Sequence, residues 1–112
     1  MLKRVLFVVC SQNYCRSPTA ELIYKSTPGV WARSAGVDSS ATVPITTSLL
    51  MWADIIICFE DQQKRKILLQ VGGLSEVHNV NIPDDYDFQD ETLQRLIKRA
   101  CDSILGVGDD AG

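Results

Sequence analysis

The stretch VLFVVCSQNYCRSPTAE, residues 5–21, joins a continuous apolar run to a polar loop and then to the start of a helix. Residues 5–9 are apolar and rich in β-branched side chains, which is typical of a parallel strand buried on both faces. Ser17 and Pro18 are typical of an N-cap and a first helical residue, because proline lacks only an N–H that has no partner there. This stretch therefore predicts a strand, a short loop and a helix in succession.

The rest of the chain repeats this alternation. Further strands are predicted at residues 30–34, 54–59 and 77–82, and further helices at 45–52, 60–71 and 91–105. Strands that alternate with helices are typical of an α/β fold with right-handed crossovers. We therefore expect a single three-layer α/β domain, residues 1–106, with a four-stranded, mostly parallel sheet flanked by helices. Residues 107–112 are expected to fray.

The composition limits the classes of partner. The chain has 112 residues, of which 46% are hydrophobic and 22% charged, and its net charge is −3. A chain of this charge offers no general argument for binding nucleic acid or membranes, so neither is expected as a partner. Residues 1–56 carry five Lys and Arg against three Asp and Glu, whereas residues 57–112 carry six against eleven. The loop after the first strand thus lies in the more basic half.

The cysteines argue against a metal site. Cys10, Cys15, Cys58 and Cys101 form no C-x-x-C pair, and His78 is the only histidine, so neither zinc nor another cofactor is expected. The first apolar run is too short for a signal peptide, and no stretch approaches the ~18 apolar residues of a membrane span. We therefore expect a cytoplasmic protein with reduced thiols.

The loop after the first strand has the residues of an anion site. In open parallel sheets ligands bind beyond the carboxyl ends of the strands, and Cys10 stands at such an end. Backbone N–H groups of the loop and the positive end of the next helix suit a phosphate group, and the same field lowers the pKa of the Cys10 thiol. The guanidinium of Arg16 can hold two phosphoryl oxygens. These features predict attack by a thiolate, a cysteinyl-phosphate intermediate and its hydrolysis. The residues expected to bind phosphate are Ser11, Gln12, Asn13, Tyr14, Cys15, Arg16 and Ser17.

Residues 5–21 resemble the low-molecular-weight protein tyrosine phosphatase family, whose loop is written C-x-x-N-x-C-R-S-P and follows a V-L-F-V strand. This chain has the matching residues at positions 5–8, 10, 13 and 15–18. Its Ser34-Ala35-Gly36 matches the family's S-A-G, WADIIICFE at residues 52–60 resembles the family's third strand, and residues 84–86 resemble its late D-P-Y. The resemblance extends over nearly the whole chain.

The resemblance implies a role for each matching loop residue. Cys10 is the nucleophile, and Arg16 binds the phosphoryl oxygens and stabilises the transition state. Asn13 braces the loop through Ser34. Ser17 donates a hydrogen bond to the Cys10 thiolate and helps it leave.

Two further roles carry alternatives. Cys15 is implied as a redox partner that forms a disulfide with Cys10, although a small residue that merely fills the loop is the simpler interpretation. An aspartate of the late loop is implied as the general acid. The register against D-P-Y favours Asp84, with Asp85 as second choice and Asp87 as third, while the whole acidic run also suits a solvated helix N-terminus.

The chain departs from the family pattern near the phosphate site. It is shorter around residues 38–44 and in the late loop, Gln12 replaces a common glycine, and Asp85 replaces the proline of D-P-Y. The expected substrate is a phosphorylated protein or a small aryl phosphate, and phosphotyrosine is expected at the level of the family.

Other functions remain open from the sequence. An arsenate reductase on the same fold needs two further thiols close together, but Cys58 and Cys101 are 43 positions apart and both are expected in or beside the core. A cysteine phosphocarrier of a sugar transport system needs neither Arg16 nor a late acid. A non-catalytic phosphate-binding module is the third alternative. His78 is expected at the surface or at a strand edge.

Overall fold

Helices and strands alternate along the part of the chain that the structure describes. The computed structural model describes residues 3–9, 16–36, 45–71, 76–82 and 89–106. The elements in order are β1 (Lys3–Val9), α1 (Arg16–Lys25), β2 (Val30–Gly36), α2 (Thr47–Trp52), β3 (Ile55–Cys58), α3 (Asp61–Val71), β4 (Glu76–Asn79) and α4 (Glu91–Leu105). The expected α/β alternation is confirmed.

The four strands form one sheet in the order β2-β1-β3-β4, and every described pairing is parallel. β1 is central, since it pairs with β2 on one side and with β3 on the other. A strand in that place can bury both faces only if it is continuously apolar. The residues from Val5 to Val8 meet this demand, and none of them is exposed to solvent.

The two faces of the sheet carry separate cores because successive side chains of a strand point to opposite sides. Val5 and Phe7 of β1 pack in a cluster with residues of α1 and α4, whereas Leu6 and Val8 pack with residues of α2 and α3. Cys58 lies in the second cluster and Cys101 in the first, so both thiols are core residues, as expected. The sheet is thus covered by helices on both faces, as the three-layer prediction requires.

α1 and α4 are joined on their shared side of the sheet. The Tyr24 hydroxyl donates a hydrogen bond of 2.5 Å to Asp102 Oδ1, and its ring stacks on Phe7 at a centroid distance of 5.7 Å. Lys3 Nζ donates to the carbonyl oxygen of Leu105 at 2.6 Å, at the negative end of α4. α4 is therefore fixed against both α1 and the central strand.

Several predicted boundaries are shifted. α1 begins at Arg16, so Ser17 lies within the first turn rather than at the N-cap. Pro18 is compatible with that turn, because the first four N–H groups of a helix have no intrahelical acceptor. β2 continues to Gly36 because β1 offers it partners as far as Val9.

The last strand also differs from its prediction. It ends at Asn79 instead of residue 82. The Asn79 side chain accepts a hydrogen bond from the Asn81 backbone N–H at 2.9 Å, and Asn81 has a φ of 53°. A left-handed residue closed by an Asx turn cannot continue the ladder, and this turn ends β4. His78 lies on β4, at the edge of the sheet, as expected.

The buried thiols generate a prediction about reactivity and pH. Burial raises the pKa of Cys58 to about 11 and that of Cys101 to about 12, so neither should react with a disulfide reagent at pH 8 until the protein unfolds. In a variant with Cys10→Ser and Cys15→Ser, thiol counting should give none in the native state and two in guanidinium.

The same shifts lower stability at high pH. A thiol or phenol with a raised folded-state pKa keeps its proton while the unfolded chain loses it, so the free energy of unfolding should fall as the pH rises from 9 towards 11 and 12. Burial also raises the pKa of Tyr24, which acts in the same direction. Rapid labelling in the native state, or stability that is flat above pH 9, would contradict the burial of these groups.

Candidate active site

The candidate site lies at the carboxyl edge of the sheet. β1 ends at Val9, beside Gly36 of β2, and Val8 pairs with Cys58 at the end of β3. Residues 10–15 follow β1, residues 37–44 follow β2, and residues 83–88 follow Ile82 beyond the end of β4. β1, β2 and β4 therefore each end at this edge shortly before a segment that the sequence associates with the phosphate site.

The structure describes only part of the predicted site. The predicted nucleophile Cys10, with Ser11, Gln12, Asn13, Tyr14 and Cys15, lies outside the described residues, as do the candidate acids Asp84, Asp85 and Asp87. Arg16 and Ser17 are described as backbone at the start of α1. Ser34 is the one predicted site residue whose side chain is described. The catalytic roles given to the others remain predictions.

The start of α1 provides an environment for an anion. Six residues separate Val9 at the end of β1 from Arg16 at the start of α1, which matches the spacing of a C-x5-R loop. The first turn of this ten-residue helix contains no acidic residue. The positive end of its dipole is thus not neutralised from within the helix, and a negative charge placed beyond it is stabilised.

Ser34 connects β2 to α1 below this edge. It is buried in β2, and its hydroxyl donates a hydrogen bond of 2.5 Å to Glu21 Oε1 of α1. The sequence led us to expect a contact between Ser34 and Asn13. The single hydroxyl proton is used by Glu21, so such a contact would have the Asn13 amide as donor and Ser34 as acceptor.

Thr19 joins α1 to the far end of the late loop. Thr19 is fully buried, with 0% exposure. Its hydroxyl oxygen accepts a hydrogen bond of 2.9 Å from the backbone N–H of Gln89. Gln89 directly precedes Asp90, whose side chain caps α4 by accepting from the N–H groups of Thr92 and Leu93. Gln89, the first described residue after residues 83–88, is therefore held against the first half of α1.

Gln63 closes the turn after β3. Its side-chain oxygen accepts hydrogen bonds from the backbone N–H groups of Phe59 at 2.7 Å and Glu60 at 3.2 Å. The residue is 1% exposed, and within the described part of the chain its Nε2 has no hydrogen-bond partner. This side chain holds the carboxyl end of the strand that neighbours β1.

Sequence reasoning did not assign roles to Glu21, Thr19 or Gln63. Glu21 was visible only as the last residue of the matching motif. Thr19 and Gln63 are polar side chains buried in helices, and a polar residue in a helical pattern normally indicates the solvent face. The one sequence signal for Thr19 and Gln63 is a polar residue at a helical position where the pattern predicts an apolar, buried one.

The positions of the remaining thiols bear on the alternatives. Cys58 and Cys101 lie in the two different cores, on opposite faces of the sheet. They cannot form the adjacent pair of relay thiols that arsenate reduction on this fold would need. No group of His, Cys, Asp and Glu side chains that could hold a metal occurs among the described residues.

Curated relatives of the chain share one description. The chain is 30% identical over 138 aligned positions to the probable low molecular weight protein-tyrosine-phosphatase EpsP of Ralstonia nicotianae, and the match covers 92% of this chain and 94% of that protein. The EpsP of Ralstonia solanacearum is also 30% identical over 137 positions, with the same coverage. No protein-family model matches the chain.

Solved structures agree on the fold. The tyrosine phosphatase Wzb from Escherichia coli K30, in complex with sulphate, aligns with a TM-score of 0.72 and 21% identity over 100% of both chains. The YwlE arginine phosphatase from Geobacillus stearothermophilus aligns with a TM-score of 0.73 and 21% identity, covering 93% of this chain and 94% of its own. The sheet order, the helices on both faces and the curated relatives together show that the chain belongs to the low-molecular-weight protein-tyrosine-phosphatase family.

Proposed function

We propose that this protein hydrolyses phosphate monoesters, with phosphotyrosine in proteins as the preferred class, through a cysteinyl-phosphate on residues 10–17. The observation that supports this best is the arrangement of β1 and α1 at the carboxyl edge of the sheet. The central strand ends at Val9, the anion-favouring end of α1 begins at Arg16, and a C-x5-R sequence spans the two. Membership of the phosphatase family supports the same chemistry.

The reaction proceeds in two steps. The Cys10 thiolate attacks phosphorus and the P–O bond to the phenol breaks, while Asp84 gives its proton to the departing oxygen. Water then attacks phosphorus and the P–S bond breaks. Asp84 takes the proton from that water, and inorganic phosphate and the thiolate are released. Each step needs only protons and electron pairs that these groups supply, so no metal or other cofactor is required.

The loop stabilises the negative charge that is present throughout. The N–H groups of residues 11–17 and the guanidinium of Arg16 hold the three phosphoryl oxygens, which is where preorganised donors have their largest effect. Ser17 donates a hydrogen bond to the thiolate and makes it a better leaving group. Asn13 braces the loop, and the buried pair of Ser34 and Glu21 supports it from β2 and α1.

The proposal also includes a cellular compartment, domain bounds and a substrate class. None of the helices in the described ranges is long and apolar enough to cross a membrane. Buried unpaired thiols at Cys58 and Cys101 suit a reducing compartment, for which we propose the cytoplasm. We propose residues 1–106 as the phosphatase domain, since α4 closes with Gly106 at a φ of 68°. The substrate is a phosphorylated protein or a small aryl phosphate, with no nucleic-acid or membrane partner.

Steady-state hydrolysis of p-nitrophenyl phosphate tests the function. Cys10→Ser should abolish turnover while inorganic phosphate still binds, because the loop and Arg16 supply binding and only the thiolate supplies attack. Arg16→Lys should lose about 10²–10³-fold in kcat, since a point charge cannot replace two directed donors. Cys58→Ala is the matched control with a buried thiol removed, and EDTA should have no effect. Near-normal activity of Cys10→Ser, or loss of activity in EDTA, would refute the mechanism.

Leaving-group dependence tests the acid. Asp84→Asn should lower kcat/KM by about 10²–10⁴-fold for phenyl phosphate, a poor leaving group that needs the proton, and by much less for p-nitrophenyl phosphate. Asp85→Asn is the adjacent control and should affect both substrates equally and weakly. If Asp85→Asn alone shows the selective loss, the acid is the neighbouring residue. If neither does, the acid lies outside this loop.

Peroxide treatment tests the redox partner. We propose that an oxidised Cys10 is captured by Cys15 as a disulfide before it oxidises further. Activity lost in peroxide should return with dithiothreitol, and peptide mass spectrometry should find Cys10 linked to Cys15. In Cys15→Ser the loss should become irreversible. Free Cys15 beside a Cys10 sulfinic acid in the wild-type protein would refute a protective role.

A further inference from the structure

Gln89 stands at a junction that holds an unfavourable backbone conformation. Its φ is 62°, a left-handed value that side chains with a Cβ rarely adopt. Both of its backbone groups are used. Its N–H donates to Thr19 Oγ1 at 2.9 Å, and its carbonyl oxygen accepts from Gln94 Nε2 at 2.8 Å. The surrounding structure therefore fixes Gln89 in spite of its conformation.

Thr19, the partner of Gln89 on α1, is suited to hold Gln89 at a fixed distance from the start of that helix. Thr19 is 0% exposed and lies three positions after Arg16, and the hydrogen bond joins residues 70 positions apart in the chain. The bond is partly buried because its acceptor on α1 is buried, so water replaces a lost partner here less readily than in a bond at the surface. At its other end, the segment of residues 83–88 begins after Ile82, which is 4% exposed in the core of α1 and α4.

From this arrangement we propose that Thr19 is a positioning residue for the general acid. Through the Gln89 backbone, it fixes the end of the acid-bearing segment to the same helix that begins with Arg16. The acid and the phosphate-binding groups are then both positioned relative to α1. This inference rests on the proposed function, in which Asp84 or Asp85 protonates the leaving group. A displacement of about 1 Å at such a group can cost about 10²-fold in rate.

The test uses two variants that differ in one hydroxyl group. Thr19→Val keeps the shape of the side chain but leaves the Gln89 N–H without its acceptor, whereas Thr19→Ser keeps the acceptor. Thr19→Val should lower kcat/KM for phenyl phosphate about 10-fold or more and that for p-nitrophenyl phosphate less than about 3-fold. The inhibition constant of inorganic phosphate should not change, and Thr19→Ser should restore the rate with phenyl phosphate.

Two further variants keep the test decisive. Thr27 lies just after α1, and its partly buried hydroxyl donates to the carbonyl oxygen of Ile23. Thr27→Val removes this hydroxyl and should leave kcat/KM unchanged for both substrates. If Thr19→Val does not fold, Gln94→Ala frees the other side of Gln89 from the surface of α4 and should give a smaller loss of the same selectivity. Equal losses on both substrates for Thr19→Val or Gln94→Ala would overturn the proposal.

A double-variant cycle separates this inference from the proposed function. Thr19→Val is combined with whichever of Asp84→Asn and Asp85→Asn shows the selective loss, and kcat/KM for phenyl phosphate should then fall no further, because the acid is already gone. Additive losses would overturn the role of Thr19 and leave the acid assignment intact. If neither aspartate variant shows a selective loss, the assignment of the acid fails, and the positioning role fails with it.

Discussion

The burial of β1 between two parallel neighbours is the constraint on which the other features of the fold depend. Residues Val5 to Val8 have no exposed surface, and each of their side chains contributes to one of the two cores. Burial of an aliphatic or aromatic side chain of this size contributes about 1.5–3 kcal/mol. The strand cannot slip by one residue without exchanging its two faces. Its carboxyl end is therefore a fixed point, and the proposed phosphate-binding residues 10–17 directly follow it in the sequence.

Side-chain hydrogen bonds secure the elements around that point. Ser34 joins β2 to Glu21 of α1, Thr19 joins α1 to the chain before α4, and Gln63 closes the turn after β3. Each bond is at least partly buried and lies among the elements that start or end at the carboxyl edge. Precise chemistry needs such support, because reacting groups on loops keep their geometry only where the layer beneath them is rigid. The hydrogen bonds of Ser34, Thr19 and Gln63 are therefore suited to support the proposed chemistry.

The fold could be predicted from the sequence largely because its strongest signals are local. The apolar runs of β1 and β3 form strands as predicted, and α4 covers its predicted residues 91–105. Element ends were less predictable, since β2 is lengthened by pairing with β1 and β4 is cut short by the left-handed Asn81.

The chemistry of the site was predicted from a motif, whereas its supports were not. The proposed roles of Cys10 and Arg16 follow from a short motif in the sequence. The bond between Thr19 and Gln89 spans 70 positions and involves a backbone group, so it leaves no local pattern. Glu21 and Ser34 come from different elements, and only the packing of α1 on β2 brings them together.

The covalent intermediate tests most directly whether the phosphoryl group passes through Cys10, as we propose. The protein is mixed with an excess of aryl phosphate, quenched in acid during turnover, digested and examined by mass spectrometry. The mass of one phosphoryl group should appear on the peptide that contains Cys10 and on no peptide that contains Cys58 or Cys101. A phosphoryl group on a different residue, or turnover without any phosphorylated peptide at the earliest times, would contradict the mechanism.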